Sequence, residues 1–526
     1  MRRLAVILLA LAAAALMVFV RPSLGGGKDH VASAGAQPAP RLRIIATNDF
    51  HGALEPSRDG KGASQGGADA MASEIDRARR TCPQPCVTLL LDGGDLFQGT
   101  AASSIAHGRP VVDLYNALGY AAAAVGNHEF DWGLDTLRAR MSEAHFSMLA
   151  ANVRYRNGRD VEWIPNDTVV ERGPYRIGII GAIGPETYGS IMASNVATLR
   201  FSDPVPIVDS ITRVLRSRGA DVVVVVIHSG AFCKQHGTRS CGGDIIDFAR
   251  RLGEGVDAIV SGHTHSVVDF KVRGVPIVQA RSSGKAVAVV DLAPRARAAG
   301  GEVLSEEVED VVAGALPVLP RVDSIVRSSS ARVAPLVNRE VARLATAMPR
   351  RGSDYPLGNL IADAQRWAGQ SDLALVNDGG IRTGLHAGSV SYGELFQLQP
   401  FGNPLRKLTV SGSAVRAYLE GLVARGQPRT HVSGAVITYN STLPRGRRIV
   451  SVVLDNGDTL RDDGRYTLVL NEYMATGRSA RKLVTGATAN QRLGPSDLDA
   501  LVAYLESRSQ PVRPPVGRRF TTASKR

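Results

Sequence analysis

The stretch Ala-Ala-Ala-Ala-Val-Gly-Asn-His-Glu-Phe-Asp, residues 121 to 131, joins a short apolar run to a cluster of polar side chains. Ala121–Val125 has the length and composition of a buried strand, and Gly126 ends it. Asn127, His128 and Asp131 follow at once. In open α/β sheets, ligand sites form in the crevice at the carboxyl ends of strands. This stretch therefore predicts one strand of such a sheet, with part of a functional site at its end.

Five further apolar runs have the same form: Leu42–Thr47, Val87–Leu91, Ile177–Ile180, Val222–Ile227 and Ala258–Val260. Each is bounded by turn residues and alternates with a helical pattern, which is typical of a layered α/β domain. We predict this domain over residues 41–310. A connecting segment with a helix over 311–344, a second α/β domain over 345–510 and a tail over 511–526 are predicted to follow.

The ends of these runs carry side chains that bind divalent metals: Asp49, His51, Asp95, Asn127, His228, His263 and His265. Carboxylate, amide and imidazole groups suit Zn, Mn, Fe or Co rather than a thiolate-bound structural metal. A carboxylate can bridge two ions, and a pair of ions can polarise a phosphoryl group and activate water. The pattern therefore predicts a two-metal site, with Asp95 as the shared carboxylate.

A single histidine near a strand end is more often a hydrogen-bonded loop residue, so Asp49-x-His51 alone is weak evidence. Of the 11 histidines, however, five fall in these motifs, which span five separate strand ends. The other histidines lack such a context: His30, His107, His145, His236, His386 and His431. The convergence of five strand ends favours a metal site over the loop interpretation.

The whole series of motifs resembles the calcineurin-like metallophosphoesterases. Within them, Thr47-Asn48-Asp49-x-His51-Gly52 and Gly126-Asn127-His128-Glu129-Phe130-Asp131 resemble the secreted 5′-nucleotidases, which include UDP-sugar hydrolases and 2′,3′-cyclic phosphodiesterases. The resemblance covers about residues 41 to 505. It implies a layered β-sandwich flanked by helices, followed by a separate α/β substrate domain.

The resemblance also implies a role for each motif residue. One metal would be held by Asp49, His51, Asp95 and His265. The second would be held by Asp95, Asn127, His228 and His263. His128 would face the phosphoryl group and protonate the leaving oxygen, with Asp131 orienting it. The spacing supports that last pair independently, because residues three apart on a helix face each other.

The second half contains Asn377-Asp378-Gly379-Gly380-Ile381-Arg382 after the apolar run Leu373–Val376. By the resemblance, phosphate would be bound by Arg382, Arg351 and Asn377. A guanidinium fork matches phosphate geometry. Phe401 and Tyr473 would enclose a nucleobase between two rings. Without the resemblance, Arg382 would be a solvated loop residue and both aromatic rings could equally belong to the core.

One segment departs from the family pattern. The family usually follows the second aromatic residue with Gly-Gly-Asp-Gly, whose Asp contacts ribose. Here the corresponding residues are Gly477-Arg478-Ser479-Ala480, so an acidic group is replaced by a cation. We hypothesise that this loop favours a substrate with more negative charge or without a ribose contact.

The N-terminus and the cysteines both indicate export. Met1-Arg2-Arg3 precedes the uncharged apolar run Leu4 to Val20, as in a secretory signal or an N-terminal membrane anchor over 1–29, with a linker over 30–40. The chain has four cysteines, and their spacing favours local disulfides, Cys82 with Cys86 and Cys233 with Cys241. A zinc site made by all four thiolates is the alternative.

Composition restricts the partners. The chain has a formal net charge of +13, but its arginines are scattered and no run of five Lys or Arg occurs. This pattern indicates a basic surface rather than a dedicated nucleic-acid site, with a nucleotide or another phosphate ester as substrate. The sequence thus predicts an exported, periplasmic or extracellular, 5′-nucleotidase-like hydrolase. The alternatives are a cyclic phosphodiesterase, a UDP-sugar hydrolase, a hydrolase of a sulfur ester on a carrier protein, a binding protein on a retired phosphatase scaffold and a nuclease.

Overall fold

The computed structural model describes residues 39–58, 63–234, 240–294, 301–424, 426 and 428–523. The predicted leader and nearly all of the predicted linker lie outside this range, as do His30, His236 and the end of the predicted tail. Within the described residues, no helix combines the length and the apolar composition needed to cross a bilayer.

The first domain is built on two six-stranded sheets. In spatial order, the strands of the first sheet are Gly301–Asp310, Ala286–Pro294, Arg41–Thr47, Cys86–Asp92, Ala122–Ala124 and Ser147–Leu149. Those of the second are Val267–Val272, Val275–Ala280, Ala258–Ser261, Val222–His228, Tyr175–Ile183 and Asp167–Arg172. The strands whose ends carry the predicted metal ligands are parallel neighbours. In the first sheet they are Arg41–Thr47, Cys86–Asp92 and Ala122–Ala124, and in the second they are Val222–His228 and Ala258–Ser261. All six predicted strands are present.

The two sheets pack face to face, because alternate residues of each strand bury opposite faces. In Val222–His228, the side chains of Val222, Val224 and Val226 contact the core between the sheets. Val223, Val225 and Ile227 contact the helices outside. A strand buried on both faces reads as a continuous apolar run rather than an alternating one, which explains why five consecutive valines occur here. The predicted layered sandwich is confirmed.

Helices cover the outer faces of both sheets. In the first domain they are Ala68–Arg80, Ala101–Ser104, Arg109–Leu118, Gly133–Glu143, Pro204–Ser217 and Asp244–Arg251, with short 3-10 turns at His128–Phe130 and Thr187–Ser190. Small two-stranded pairs join Ser57–Arg58 to Ser64–Gln65, Val153–Tyr155 to Leu199–Phe201, and Phe232–Lys234 to Ser240–Gly242. The connecting segment and the second domain follow these elements along the chain.

The connecting segment contains the helix Pro320–Val337. Its Val322 and Val326 are buried in the core that covers the outer face of the first sheet. At its other end, Val337 lies against Gly393 of the second domain. The helix therefore packs on both domains rather than bridging them through solvent.

The second domain contains a five-stranded sheet, a three-stranded sheet and a two-stranded pair. The five-stranded sheet has the order Thr430–Ser433, Leu373–Asn377, Arg465–Asn471, Pro404–Ser411 and Ala489–Ser496. The three-stranded sheet contains Ile449–Leu454, Ala435–Tyr439 and Phe520–Thr522, and the pair joins Glu340–Leu344 to Gly388–Ser391. Phe520 is buried, so this part of the predicted tail belongs to the packed domain.

Helices again flank the sheets of the second domain: Pro356–Gly369, Tyr392–Leu398, Gly412–Leu422, Glu472–Thr476, Arg481–Thr485 and Asp497–Glu506, with 3-10 turns at Asp378–Gly380 and Arg478–Ala480. Four of them begin at a side-chain cap made by Ser391, Ser411, Asn471 or Ser496. The fold class is therefore the predicted one, a layered sandwich followed by an α/β domain. Both predicted disulfides, Cys82–Cys86 and Cys233–Cys241, are present.

Candidate active site

All seven predicted metal ligands meet at one edge of the two sheets. The His228 Nε2 lies 3.0 Å from the Asp95 Oδ2. The His265 Nε2 lies 3.4 Å from the Asp49 Oδ1. The His51 Nε2 lies between the two carboxylates, 3.8 Å from the Asp49 Oδ1 and 3.9 Å from the Asp95 Oδ2. Side chains from residues 49 to 265 thus form one cluster at the carboxyl ends of the strands.

Three groups of donor atoms within this cluster could each hold an ion. They are Asp49, His51 and His265; Asp95, His228 and His263; and His51, Asp95 and His128. In each group the donor atoms lie within 4.8 Å of one another. The first two groups fall within the two predicted ligand sets, and Asp95 occurs in two of the three groups. Metal binding itself stays a prediction.

The hydrogen bonds of two imidazoles fit a metal site. The Nδ1 of His51 lies 2.8 Å from the Gln98 carbonyl oxygen, and the Nδ1 of His228 lies 2.8 Å from that of Gly93. A carbonyl can only accept, so each Nδ1 carries a proton and donates it, which leaves Nε2 as the nitrogen that a metal could bind. Nothing in the described residues donates to the buried Oδ1 of Asn127. These donors fit a pair of divalent cations.

The backbone at this edge is strained. Five of the seven predicted ligands have positive φ: Asp49 (50°), His51 (52°), Asp95 (61°), His263 (82°) and His265 (55°). A non-glycine residue in this region costs on the order of 1–2 kcal/mol, and such strain concentrates at functional sites. The unusual conformation turns these side chains toward the shared centre.

Glu129 anchors the loops that carry the ligands, a role that the sequence analysis did not assign. Its carboxylate accepts the backbone N–H groups of Asp95 (2.9 Å), Leu96 (2.8 Å) and Gly126 (2.7 Å). Burial, with the charge of Asp95, raises the pKa of Glu129 to about 7. Its place in the Gly-Asn-His-Glu motif was the available signal. An acidic residue that satisfies three buried donors fixes the position of Asp95.

Asp92 and Gly126 support the same loops. The Asp92 carboxylate accepts from the Thr47 Oγ1 (2.5 Å), the Tyr115 hydroxyl (2.9 Å) and the Gly94 N–H (2.7 Å). A Cβ on Gly126 would lie 2.2 Å from the Asp95 Oδ1, a distance that no side chain can adopt. The glycine at this position is therefore required by the close approach of the carboxylate.

His128 and Asp131 form the predicted pair. The His128 Nδ1 lies 2.7 Å from the Asp131 Oδ2, on the 3-10 turn that follows Ala122–Ala124. Burial lowers the pKa of His128, but the carboxylates of Asp131 and Asp95 outweigh it, so the pKa lies above its ordinary value. The other nitrogen, Nε2, lies 3.9 Å from the Asp95 Oδ2 and faces the donor cluster. The imidazole is placed to hold a proton beside the donor atoms.

A cavity of about 650 Å³ lies between the domains over this cluster. That volume is in the range of small-molecule sites. From the second domain, its lining includes Arg350, Asn377, Arg382, Phe401, Asn403 and Tyr473. Of the predicted substrate-binding residues, Asn377, Arg382, Phe401 and Tyr473 thus line the same cavity as the donor cluster.

Arg351 is the exception, because its neighbour Arg350 takes the place in the cavity. The Arg350 guanidinium is held by the Asp378 carboxylate (2.9 Å), in the loop that also carries Gly379 and Gly380. Arg351 is exposed and lies outside the cavity lining. The sequence does not distinguish two adjacent arginines. The ion pair with Asp378 holds Arg350, and not Arg351, in the cavity lining. Arg478 also lies outside the lining.

Phe401 contacts the predicted catalytic imidazole. Its ring is stacked on His128, with centroids 5.4 Å apart and planes at 19°. The Arg382 Cζ lies 5.7 Å from the centre of the same ring. The Tyr473 hydroxyl donates to the Gly189 carbonyl (3.1 Å) across the domain boundary. One face of the Phe401 ring is therefore covered by His128 of the first domain.

Comparison with known proteins agrees with both domains. Residues 42–267 match the calcineurin-like phosphoesterase family, and residues 335–484 match the 5′-nucleotidase C-terminal domain family. The 5′-nucleotidase of Vibrio parahaemolyticus is 28% identical over 519 residues, which cover 89% of this chain and 90% of that protein. The 5′-nucleotidase precursor from Thermus thermophilus has a TM-score of 0.79 at 27% identity, over 92% of this chain and 100% of its own.

One of the similar proteins is named for a different activity. Endonuclease YhcR of Bacillus subtilis is 28% identical over 495 residues, which cover 90% of this chain but 40% of that protein. This chain therefore spans about two fifths of the length of that relative. The matches to both domains, together with the convergent donor cluster, agree in one assignment. The chain belongs to the family of phosphoester hydrolases that join a calcineurin-like phosphoesterase domain to a 5′-nucleotidase C-terminal domain.

Proposed function

We propose that this protein is an exported, 5′-nucleotidase-like hydrolase that removes phosphate from nucleotides at a pair of divalent metal ions. One observation carries the proposal: a single cavity has metal donors on one wall and arginines with aromatic rings on the other. The wall with metal donors suits the phosphoryl group that is cleaved. The wall with arginines and aromatic rings suits the negative charge of the phosphate and the stacking of the base. The two local disulfides favour an oxidising compartment.

The two predicted ligand sets would each hold one divalent ion, Zn, Mn, Co or Fe. Asp49, His51, Asp95 and His265 would hold one ion, and Asp95, Asn127, His228 and His263 would hold the other. When bound, such a pair supplies Lewis-acid polarisation of the phosphoryl oxygens and activates water. The protein contributes the fixed geometry of these side chains, which Glu129 and the carbonyls of Gly93 and Gln98 hold in place.

The remaining residues bind and orient the substrate. Arg382 and Arg350 neutralise phosphate charge, and Asn377 is held beside them by a hydrogen bond from Asn471 (3.0 Å). His128 donates a proton from Nε2 to the leaving oxygen, while Asp131 fixes its Nδ1–H. Phe401 and Tyr473 bind the nucleobase.

The phosphate site gives a prediction that separates two neighbouring arginines. Replacing Arg382 or Arg350 by Ala is expected to raise the KM for AMP about ten-fold or more, because each removes a charge-assisted contact to phosphate. Replacing Arg351 by Ala is the matched control and should change KM less than two-fold, since its side chain lies outside the cavity lining. Steady-state kinetics of the three variants measures this. A larger effect at Arg351 than at Arg350 would reverse the assignment.

A substrate panel tests the function itself. The mature protein, loaded with Mn or Zn, should release phosphate from AMP, and chelation should abolish the activity. UDP-glucose and 2′,3′-cyclic AMP in the same panel distinguish a nucleotide-sugar hydrolase and a cyclic phosphodiesterase, the two alternatives with the same chemistry. Failure to hydrolyse any of these esters with any divalent metal would contradict the proposal and favour a binding protein.

A further inference from the structure

One wall of the cavity belongs to none of the predicted metal, phosphate or base sites. In the described part of the chain it contains Glu186, Ser190, Met192, Phe232, Gly243 and Asp244, all from the first domain. Phe232 is the prominent member, because 67% of its surface is exposed. A large aromatic side chain left exposed inside a concave site is more characteristic of ligand contact than of an ordinary surface.

Strand pairing, a disulfide and core packing hold the backbone at Phe232. Phe232 begins the strand Phe232–Lys234, which pairs with Ser240–Gly242. Cys233 and Cys241 face each other in this pair and form the second disulfide. Both cysteines also pack against the core on the outer face of the second sheet. Two isolated three-residue strands would be marginally stable, so the disulfide and this packing keep the exposed ring in position.

Hydrogen bonds connect this strand pair to the loop that carries His263 and His265 of the donor cluster. The Ala231 carbonyl, directly before Phe232, accepts from the Thr264 Oγ1 (2.9 Å) and the Ser266 Oγ (2.5 Å). Thr264 lies between two of the predicted metal ligands. The position of Phe232 is therefore fixed relative to the reacting centre by the first domain alone. The rings of Phe401 and Tyr473 come from the second domain.

The charge of the wall restricts what can bind there. Glu186 and Asp244 line the same cavity as Phe232. Burial, with a hydrogen bond to Asp244, raises the pKa of Glu186 to about 7. Carboxylates repel phosphate and accept hydrogen bonds from hydroxyl and amino groups. The wall thus suits an uncharged group that has a planar ring and donors.

We propose that Phe232 stacks on a second nucleoside, attached to the far side of the phosphate that is cut. The inference rests on the proposed function and deepens it: the preferred substrates have a nucleoside on each side of the reacting phosphate, as in a dinucleoside diphosphate or a nucleotide diester. Phe401 and Tyr473 bind one base, and Phe232 binds the other. Stacking accepts any base because every base has a π-face, while Glu186 and Asp244 accept from the ribose hydroxyls.

The test compares diadenosine diphosphate with AMP. Replacing Phe232 by Ala is expected to raise the KM for diadenosine diphosphate about ten-fold, the usual effect of losing one stacked base. The KM for AMP should change less than two-fold, because AMP has no second nucleoside. Replacing Phe232 by Tyr keeps the ring and should restore the wild-type KM. Equal changes for both substrates, or no change for either, would overturn the inference.

A second pair of variants tests the positioning of the ring. Replacing Cys233 and Cys241 by Ser should reproduce the selective loss, because the strand pair is no longer linked. The matched control replaces Cys82 and Cys86, which lie at the far end of the strand Cys86–Asp92, about 20 Å from the site. Identical behaviour of the two double variants toward diadenosine diphosphate would contradict the positioning role.

The wild-type protein separates this inference from the function on which it rests. Hydrolysis of AMP without hydrolysis or binding of diadenosine diphosphate, measured by calorimetry, overturns the inference and leaves the proposed function intact. Failure to hydrolyse either substrate with Mn or Zn overturns the proposed function and the inference with it. Hydrolysis of both, with the selective effect at Phe232, supports both.

Discussion

The variant Asp95→Asn is expected to lose kcat/KM by on the order of a thousand-fold and to bind both metal ions weakly. The Asp95 Oδ2 lies 3.0 Å from the His228 Nε2 and 3.9 Å from those of His51 and His128, so its charge is central to the donor cluster. An amide removes that charge and presents N–H groups to imidazole nitrogens. Kinetics on AMP and on bis(p-nitrophenyl) phosphate, with metal content from mass spectrometry, measures the loss.

The fold of this variant should survive. The other oxygen of Asp95, Oδ1, accepts the His128 backbone N–H (2.9 Å), and an amide oxygen can still accept that bond. We therefore expect a thermal midpoint within a few degrees of the wild type. The control Asp113→Asn makes the same exchange at an exposed helix position and should keep full activity. An active Asp95→Asn protein with two bound ions would refute the shared-carboxylate role.

The variant His128→Ala is expected to lower kcat for AMP by about 10²–10⁴-fold, the usual contribution of a general acid or base. The leaving oxygen of AMP is strongly basic and needs a proton, which we assign to the Nε2 of His128. A p-nitrophenolate leaves without protonation, so the loss on p-nitrophenyl phosphate should be much smaller. The ratio of the two losses is the measurement that identifies proton donation.

The control for this variant is His145→Ala. His145 is an exposed histidine in the same domain, and its removal should leave both rates unchanged. Some rise in KM is expected for His128→Ala alone, because the ring of Phe401 loses its stacking partner. Equal loss on the two substrates would assign His128 to binding or metal coordination instead of proton transfer. The third donor group, His51, Asp95 and His128, makes coordination the specific alternative.

The sequence alone determined the layered fold and the composition of the donor cluster at the ends of the strands. Each depends on local patterns: apolar runs of strand length, turn residues after them, and donor side chains directly behind. The strand Val222–His228 and the turn after Ala122–Ala124 lie where these patterns predict them. The disulfides were also predictable, because each joins cysteines only 4 or 8 residues apart.

Only the tertiary structure decided how those parts are held. The positive φ of Asp95, the three bonds that Glu129 accepts and the position of Arg350 rather than Arg351 in the cavity lining leave no periodic trace in the sequence. Each depends on groups that are distant along the chain, such as the Gln98 side-chain amide, which donates to the Pro400 carbonyl 302 residues later. Local sequence determines which side chains are available at a strand end. Packing between the layers and between the domains determines where they point, because those contacts form only in the folded chain.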